Sequence, residues 1–183
     1  MFIFRRLSEN DIDLKFKTGY NAFDEINPDG RLKAYLNDDI VRGGEYCTYI
    51  LIEEIDTENL IILGLLRYKF IDKEQFLTEL ASYELEKEIE KNLVQQLNKT
   101  EYSIIYLSRI GVEKENQDMN IGQIISNFFE FLVKRKHERT FIYVKVIDKY
   151  KDFITPTYDF IAKNDDKKWG RYYLASKFLE FDE

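Results

Sequence analysis

A strand, a polar loop and a long amphipathic helix follow one another between Tyr102 and Lys136, and this order constrains the fold more than any other feature. The apolar strand ends in Arg109-Ile110-Gly111-Val112, and the loop ends at Gly122. The first turn of a helix has backbone N–H groups without helical partners and the positive end of the macrodipole, so it can bind a phosphate that no side chain obstructs. The segment therefore predicts either an anion-binding turn or a glycine that simply opens a helix packed on a sheet.

The helix after Gly122 is specified by one apolar stripe and a basic end. Apolar residues recur at the spacing of a single helix face, namely Ile121, Ile124, Ile125, Phe128, Phe129 and Leu132. The basic run Lys134–Lys136 suits the negative C-terminal end. Because the aromatic and β-branched run Phe141–Ile147 predicts a strand, residues Ile104–Ile147 are expected to form one βαβ unit.

Local patterns predict the remaining strands and turns. Strands are expected at Phe2–Arg6, Glu45–Ile55, Leu60–Phe70 and Tyr172–Phe181. Ser8-Glu9-Asn10-Asp11 supplies N-cap residues for a helical segment, and Asn27-Pro28-Asp29-Gly30 is a turn motif. The two strands on either side of Asp56-Thr57-Glu58-Asn59 are expected to form a hairpin.

A further helix is expected between this hairpin and the strand at Ser103, over residues 72–98. Asp72 followed by Gln75 resembles a capping box, and apolar residues recur behind it, namely Phe76, Leu77, Leu80, Leu85, Ile89, Leu93 and Leu97. Its charged face is either a solvated surface or a partner-binding surface. A short helical stretch is also expected over Phe153–Ala162.

Length and composition predict a single domain over residues 1–183. The chain is 44% hydrophobic and 15% aromatic, which is enough to bury one substantial core. No apolar run approaches the roughly 20 residues that span a bilayer, and Arg5 and Arg6 interrupt Met1-Phe2-Ile3-Phe4 too early for a signal-peptide core. We therefore expect a cytoplasmic protein that does not insert into membranes.

The counts of soft ligands and charges exclude several classes of function. Cys47 is the only cysteine and His137 the only histidine, so neither a zinc site nor a Cys-His hydrolase is expected, and no metal is predicted. A buried structural thiol is the expected role of Cys47. The net charge of −7 argues against nonspecific nucleic-acid binding, which depends on many Lys and Arg contacts to phosphates.

The loop Gln117-Asp118-Met119-Asn120-Ile121-Gly122 resembles the coenzyme A pyrophosphate loop of the GCN5-related N-acetyltransferase (GNAT) family. That loop reads Gln or Arg, two residues, Gly, one residue, then Gly or Ala. Gln117 and Gly122 match it, and Asn120 stands at the first glycine. Asparagine is one of the few residues that enters left-handed backbone conformations with little strain. The resemblance implies a mixed α/β (α+β) fold, in which a mostly antiparallel central sheet is flanked by helices and the helix at 72–98 is an insertion.

The resemblance also implies where acetyl-CoA binds. In the family, the strand before the loop splays from its parallel neighbour and binds the pantetheine arm, and Ile110, Gly111 and Val112 occupy those positions. The pyrophosphate contacts carry over to the loop and the first helical turn, namely Gln117, Asp118, Met119, Asn120, Ile121, Gly122 and Gln123.

The implied reaction is direct transfer of an acetyl group from acetyl-CoA to an amine. Thr157–Lys163 resembles the family's aromatic-Tyr-Glu-Lys-Leu-Gly-Phe segment, which makes Tyr158 the candidate general acid or alternatively a core or rim tyrosine. A backbone N–H near Val112 would polarise the thioester carbonyl. Glu53 and Glu54 are the candidate bases, and strand alternation allows only one of them to face a cleft. Ordinary exposed carboxylates are the alternative for both.

Two functions follow from the resemblance. The first is an N-acetyltransferase whose acceptor is a small amine, an antibiotic-like compound, a protein or peptide amine, or an aminoacyl-tRNA. The second is a catalytically silent module of the same fold that binds coenzyme A or a protein partner. The acidic net charge of −7 favours cationic acceptors. Dimerisation is common in the family, so a homodimer is compatible with the resemblance.

Overall fold

The computed structural model describes residues 1–11, 15–16, 44–55, 60–112, 120–136, 139–148, 157–166 and 170–180. The described strands are β1 (Phe2–Arg6), β2 (Lys15–Phe16), β3 (Tyr46–Glu54), β4 (Leu60–Ile71), β5 (Ser103–Val112), β6 (Arg139–Ile147), β7 (Asp159–Asp166) and β8 (Gly170–Glu180). The described α-helices are α1 (Lys73–Leu80), α2 (Lys87–Lys99) and α3 (Ile121–Lys136). The chain divides into two compact units, one of Met1–Lys69 with Ser108–Leu132 and one of Phe70–Leu107 with Val133–Glu183.

In the first unit the strand order is β1-β3-β4-β5, with β2 paired parallel to β4. The pairs β1–β3 and β3–β4 are antiparallel, so the predicted hairpin is confirmed. A buried cluster of aliphatic side chains forms its core, namely Leu7, Ile50, Ile52, Ile62 and Leu65. These side chains come from β3, from β4 and from the residue after β1, so their burial joins these three parts of the chain.

A row of aromatic rings packs α3 on this sheet. Phe4 stacks on Phe128 at a centroid distance of 5.0 Å and on Tyr49 at 5.4 Å. Tyr68 stacks on Tyr49 at 6.3 Å and contacts Phe129 at 5.1 Å. The predicted apolar stripe of α3 therefore faces the sheet, although Phe128 at its margin remains 40% exposed.

In the second unit the strand order is β5-β6-β8-β7. Residues Ser103–Leu107 of β5 pair parallel with Thr140–Val144 of β6, which confirms the predicted βαβ connection, and the other two pairs are antiparallel. One buried cluster joins α1 and α2 to these strands, namely Phe76, Leu80, Tyr83, Leu93, Leu97, Ile104, Phe141, Tyr143, Ala162 and Leu174. The mixed, mostly antiparallel sheet with helices is therefore the observed fold class.

The expected single helix over residues 72–98 is wrong in one respect, because two helices occupy this stretch. Asp72 caps the first as predicted, accepting a hydrogen bond from the Gln75 backbone N–H at 2.6 Å. The helices are interrupted by Ala81–Glu86. Leu85 follows Leu80 after a step of five positions, whereas the apolar stripe of one continuous helix needs steps of three or four.

The interruption is held by pairing with β7. The Glu84 N–H donates to the Lys163 carbonyl at 3.0 Å, and the Lys163 N–H donates back at 3.3 Å. The side-chain amide of Asn164 also donates to the Ser82 carbonyl at 3.3 Å. These bonds satisfy backbone groups that would otherwise face the open edge of β7.

The helical stretch expected over Phe153–Ala162 is also wrong, because Asp159–Ala162 lie in β7. β7 pairs antiparallel with β8, and an irregularity between Phe160 and Ala162 breaks the simple alternation of apolar residues that identifies a strand. Residues 153–156 lie outside the described residues, as do residues 27–30, 37–43 and 56–59 and His137.

Three further expectations from the sequence concern Cys47, membrane insertion and the number of domains. Cys47, which was expected to be a buried thiol, lies in β3 and is only half-buried. None of the described helices is long and apolar enough to cross a membrane. The single domain over residues 1–183 stays a prediction.

Candidate functional site

The residue before α3, Asn120, has a left-handed backbone conformation. Asn120 has a φ of 56°, which lies in the left-handed region, and its carbonyl accepts a hydrogen bond from the Ile124 N–H at 3.0 Å. Asn120 thus adopts the left-handed conformation that asparagine enters with little strain. The predicted contacts Gln117, Asp118 and Met119 lie outside the described residues.

Among the described residues, packing does not require a glycine at position 122. A Cβ added to Gly122 would lie 3.6 Å from Val112 Cγ2, an ordinary van der Waals contact and the closest one with the described residues outside its own helix. The next residue, Gln123, directs its side chain along the helix and donates from Nε2 to Asn127 Oδ1 at 2.9 Å. The first turn of α3 thus carries no side chain at Gly122. Its backbone N–H groups are among those that a helix leaves without helical partners.

A glycine that sequence analysis missed brings β4, β5 and α3 together. A Cβ on Gly64 would lie 2.6 Å from the Gly111 carbonyl oxygen and 2.7 Å from Ile125 Cδ1. Such distances are far below van der Waals contact, so only glycine fits in β4 at this point. An isolated glycine inside the apolar run Leu60–Phe70 was the available signal, because it marks a close backbone approach.

The three predicted pantetheine positions lie at the end of β5. Gly111 and Val112 are buried, and Ile110 is half-buried. The close approach of Gly64 fixes Gly111, and Val112 lies against the start of α3. The strand end and the helix start are therefore held together in the first unit, as a strand–turn–helix site requires.

The candidate bases lie at the end of β3. Glu53 and Glu54 are both half-buried. The Glu54 backbone is tied to the start of β1, because its N–H donates to the Met1 carbonyl at 2.8 Å and its carbonyl accepts from the Met1 ammonium at 2.9 Å. Since adjacent strand residues point to opposite faces, the two carboxylates are expected on different sides of the sheet.

Tyr158, the candidate acid, belongs to the second unit. It lies immediately before β7 and is only 4% exposed. It therefore precedes a strand, whereas the sequence predicted a helical stretch around it. Its role as the acid stays a prediction.

Solved acetyltransferase structures match nearly the whole chain. NAA60 from Arabidopsis thaliana, in complex with acetyl-CoA, matches with a TM-score of 0.62 and 14% identity, over 98% of this chain and 99% of that one. A GNAT-family protein from Desulfovibrio desulfuricans matches with a TM-score of 0.60 and 14% identity over the same shares. The chain has the fold of the GNAT acetyltransferases. Ard1 from Thermoplasma volcanium also matches, with a TM-score of 0.58 and 8% identity over 98% of this chain and 99% of that one.

No family model and no curated protein sequence matches the chain. At identities of 8–14% the structural matches show the GNAT fold and leave acceptor and activity to be argued from the residues themselves. The residues that carry the argument are those at the end of β5 and the start of α3. In the GNAT fold this strand and helix flank the loop that the sequence resemblance identified.

The conformation at Asn120 gives a first testable prediction. Asn120→Val is expected to lower the free energy of unfolding by about 1–2 kcal/mol, because a β-branched side chain is strained at a φ of 56°. Asn120→Gly relieves the same strain and is expected to retain the wild-type stability to within about 1 kcal/mol. Urea unfolding of the three proteins measures both values, and equal stability of the valine variant would contradict the left-handed conformation.

Proposed function

We propose that this protein is an acetyl-CoA-dependent N-acetyltransferase that transfers an acetyl group directly to a primary amine. The observation that carries the proposal is the start of α3, where a Cβ on Gly122 would meet no described side chain closer than 3.6 Å. A ligand that approaches the backbone at the first turn of a helix gives a reason for a residue without a side chain there. The GNAT fold of the chain and the acetyl-CoA bound to NAA60 support the same ligand.

The residues of the first unit suit the anionic and extended parts of this ligand. The N–H groups of Ile121, Gly122 and Gln123 would hold the pyrophosphate at the positive end of α3, and the sequence resemblance assigns further contacts to Gln117–Asn120. Ile110, Gly111 and Val112 would bind the pantetheine arm through their backbone, as an added strand does. Acetyl-CoA supplies the activated thioester.

The chemistry needs three groups from the protein. The amine must lose a proton as its nitrogen bonds to the acetyl carbon, and the carbon–sulfur bond breaks with the electron pair going to sulfur, which then takes up a proton. The Val112 N–H is proposed to hydrogen-bond the thioester oxygen as negative charge develops. Glu53 or Glu54 is the proposed base, and Tyr158 is the proposed acid.

Thermal unfolding in the presence of acetyl-CoA or coenzyme A tests this function. A ligand that binds only the native state is expected to stabilise it by about 2.7 kcal/mol at one hundred times its Kd. Gly122→Glu is expected to abolish this stabilisation, because it places a bulky negative side chain where the pyrophosphate would lie. Asn127→Glu is the matched control, since it adds the same charge at an exposed position of the same helix.

The outcomes separate the two functions. Absence of any shift with either ligand at millimolar concentration would overturn the proposal. A saturable shift that Gly122→Glu removes and Asn127→Glu retains would support coenzyme A binding at α3. Release of free thiol in the presence of an amine then supports transfer, whereas binding without transfer to any amine of a broad panel would match the silent module.

A further inference from the structure

A carboxylate in the second unit is surrounded by groups that recognise cations. Glu79 lies in the last turn of α1. Its Oε1 forms an ion pair with Lys145 Nζ, and its Oε2 accepts a hydrogen bond from the Tyr143 hydroxyl at 2.8 Å. Tyr143 and Lys145 stand two residues apart on β6, so both point to the same face of the sheet. α1 and β6 thus bring a carboxylate, a phenol and an ammonium group together.

Aromatic rings line the site around Glu79. Tyr106 on β5 stacks on Tyr143 at a centroid distance of 5.1 Å, and Lys145 Nζ lies 5.2 Å from the centre of the Tyr106 ring. Tyr83 meets Tyr172 edge to face at 5.7 Å. Burial raises the pKa of Tyr83 and of Tyr143, and the negative charge of Glu79 raises both further, so these hydroxyls stay protonated at neutral pH. Glu79 is therefore the negative charge of this cluster.

The ammonium of Lys145 shows which chemistry the cluster accepts. A primary ammonium donates charge-assisted hydrogen bonds to a carboxylate, and it is attracted to the face of an aromatic ring. Both contacts are made here by Lys145 Nζ. The Lys145 side chain is 39% exposed and that of Glu79 is half-buried at 24%, so solvent reaches the ammonium. An ion pair that solvent reaches contributes less stability than a fully buried one, so another ammonium can compete for Glu79.

We propose that Glu79 and Tyr106 form a binding site for the primary ammonium group of the acceptor, that the buried Tyr143 orients the Glu79 carboxylate, and that Lys145 occupies this site until the acceptor displaces it. The inference rests on the proposed acetyltransferase function and names its acceptor class as a cationic primary amine on an unbranched chain, such as a lysine side chain. A quaternary ammonium is disfavoured because it has no N–H to donate to Glu79.

Calorimetric titration without acetyl-CoA tests the site directly. The probe is Nα-acetyl-lysine methylamide, whose only charge is its side-chain ammonium, and its neutral counterpart is Nα-acetyl-norleucine methylamide. The lysine probe is expected to bind and the norleucine probe to bind roughly tenfold more weakly or not at all. A lysine-free tripeptide amide with a free N-terminus tests the other source of a primary ammonium. Binding of this tripeptide without binding of the lysine probe would overturn the lysine-type acceptor.

Two variants distinguish this site from a purely structural ion pair. Glu79→Gln is expected to weaken binding of the lysine probe by roughly tenfold or more, because it removes the carboxylate. Lys145→Met removes the competing ammonium while keeping a long apolar side chain, so it is expected to tighten binding. Glu84→Gln is the matched control, since Glu84 also pairs with a lysine, Lys163, at 3.8 Å but has a 76% exposed side chain. It is expected to leave the affinity unchanged.

Opposite results would overturn the inference. Equal affinity for the lysine and norleucine probes would show that no ammonium site exists, as would weaker binding to Lys145→Met in a protein whose circular dichroism matches the wild type. The thermal shift with acetyl-CoA is a separate measurement. Loss of that shift with intact lysine-probe binding would overturn the acetyltransferase and leave the ammonium site, whereas the reverse would overturn the site alone.

Discussion

Gly64→Ala is expected to lower the free energy of unfolding by about 3 kcal/mol, as overpacking of a close-packed interior does. The added methyl would lie 2.6 Å from the Gly111 carbonyl oxygen and 2.7 Å from Ile125 Cδ1. The carbonyl belongs to β5 and cannot move without disturbing that strand. Because β5 also carries the proposed pantetheine positions, affinity for acetyl-CoA is expected to fall as well. Urea unfolding gives the first quantity and titration with acetyl-CoA the second.

Two further substitutions separate the causes of this loss. Gly122→Ala makes the same chemical change where the added methyl would lie 3.6 Å from Val112 Cγ2. It is expected to be neutral or to stabilise α3 by up to about 1 kcal/mol. Ile125→Val removes the Cδ1 atom, so the double variant Gly64→Ala/Ile125→Val is expected to recover part of the stability that the single change loses. If Gly64→Ala were as stable as the wild type, the described packing of β4 against β5 and α3 would be wrong.

Patterns that act over a few residues predicted most of the fold. The apolar runs of β3 and β4, the stripe of α3 and the Asp72 cap each depend on neighbours within about two turns or one strand, which a sequence shows directly. The conformation of Asn120 was likewise predictable, because few residues tolerate a positive φ. The GNAT fold followed from these elements in their order.

The errors arose where contacts between distant residues decide the structure. The break at Ala81–Glu86 depends on pairing with Lys163, some 80 positions away, although the five-residue step from Leu80 to Leu85 was a local warning. β7 forms because β8 satisfies its backbone, whatever its local periodicity. No local pattern singles out Glu79, and only the fold brings it to Tyr143 and Lys145.

Asp11 is a further residue whose contacts the local sequence does not show. The sequence presents it in the N-cap motif Ser8–Asp11, and these residues do form a short 3-10 turn over Glu9–Asp11. The side chain of Asp11 is nevertheless fully buried. It accepts hydrogen bonds from both terminal nitrogens of Arg5, and the distance from Arg5 Nη1 to Asp11 Oδ2 is 2.8 Å. It also accepts a hydrogen bond from the Ser8 backbone N–H at 2.6 Å. Asp11 therefore holds the end of β1 against the turn that follows it.

Asp11→Asn is expected to lower the free energy of unfolding at pH 7 by about 2 kcal/mol, because it removes the buried carboxylate that accepts charged hydrogen bonds from Arg5, whose own side chain is 35% exposed. Burial by itself raises the pKa of Asp11, but the hydrogen bonds from Arg5 and Ser8 outweigh it and hold that pKa below its ordinary value. The ionised form is thus favoured by folding. Its contribution is fully present above the unfolded pKa of about 4 and is lost as the pH falls through the folded pKa.

The pH dependence distinguishes this ion pair from a general effect of the substitution. The difference in unfolding free energy between wild type and Asp11→Asn is expected to be largest near pH 7 and to shrink below pH 4, as measured by urea unfolding across that range. Asp165→Asn is the matched control, since Arg171 Nε donates to Asp165 at 2.9 Å but both side chains are exposed. Solvent screens that pair, so its removal is expected to change stability much less. A loss of equal size in the two variants would contradict the shielding of the Asp11 hydrogen bonds, because both side chains of the Asp165–Arg171 pair are exposed to solvent.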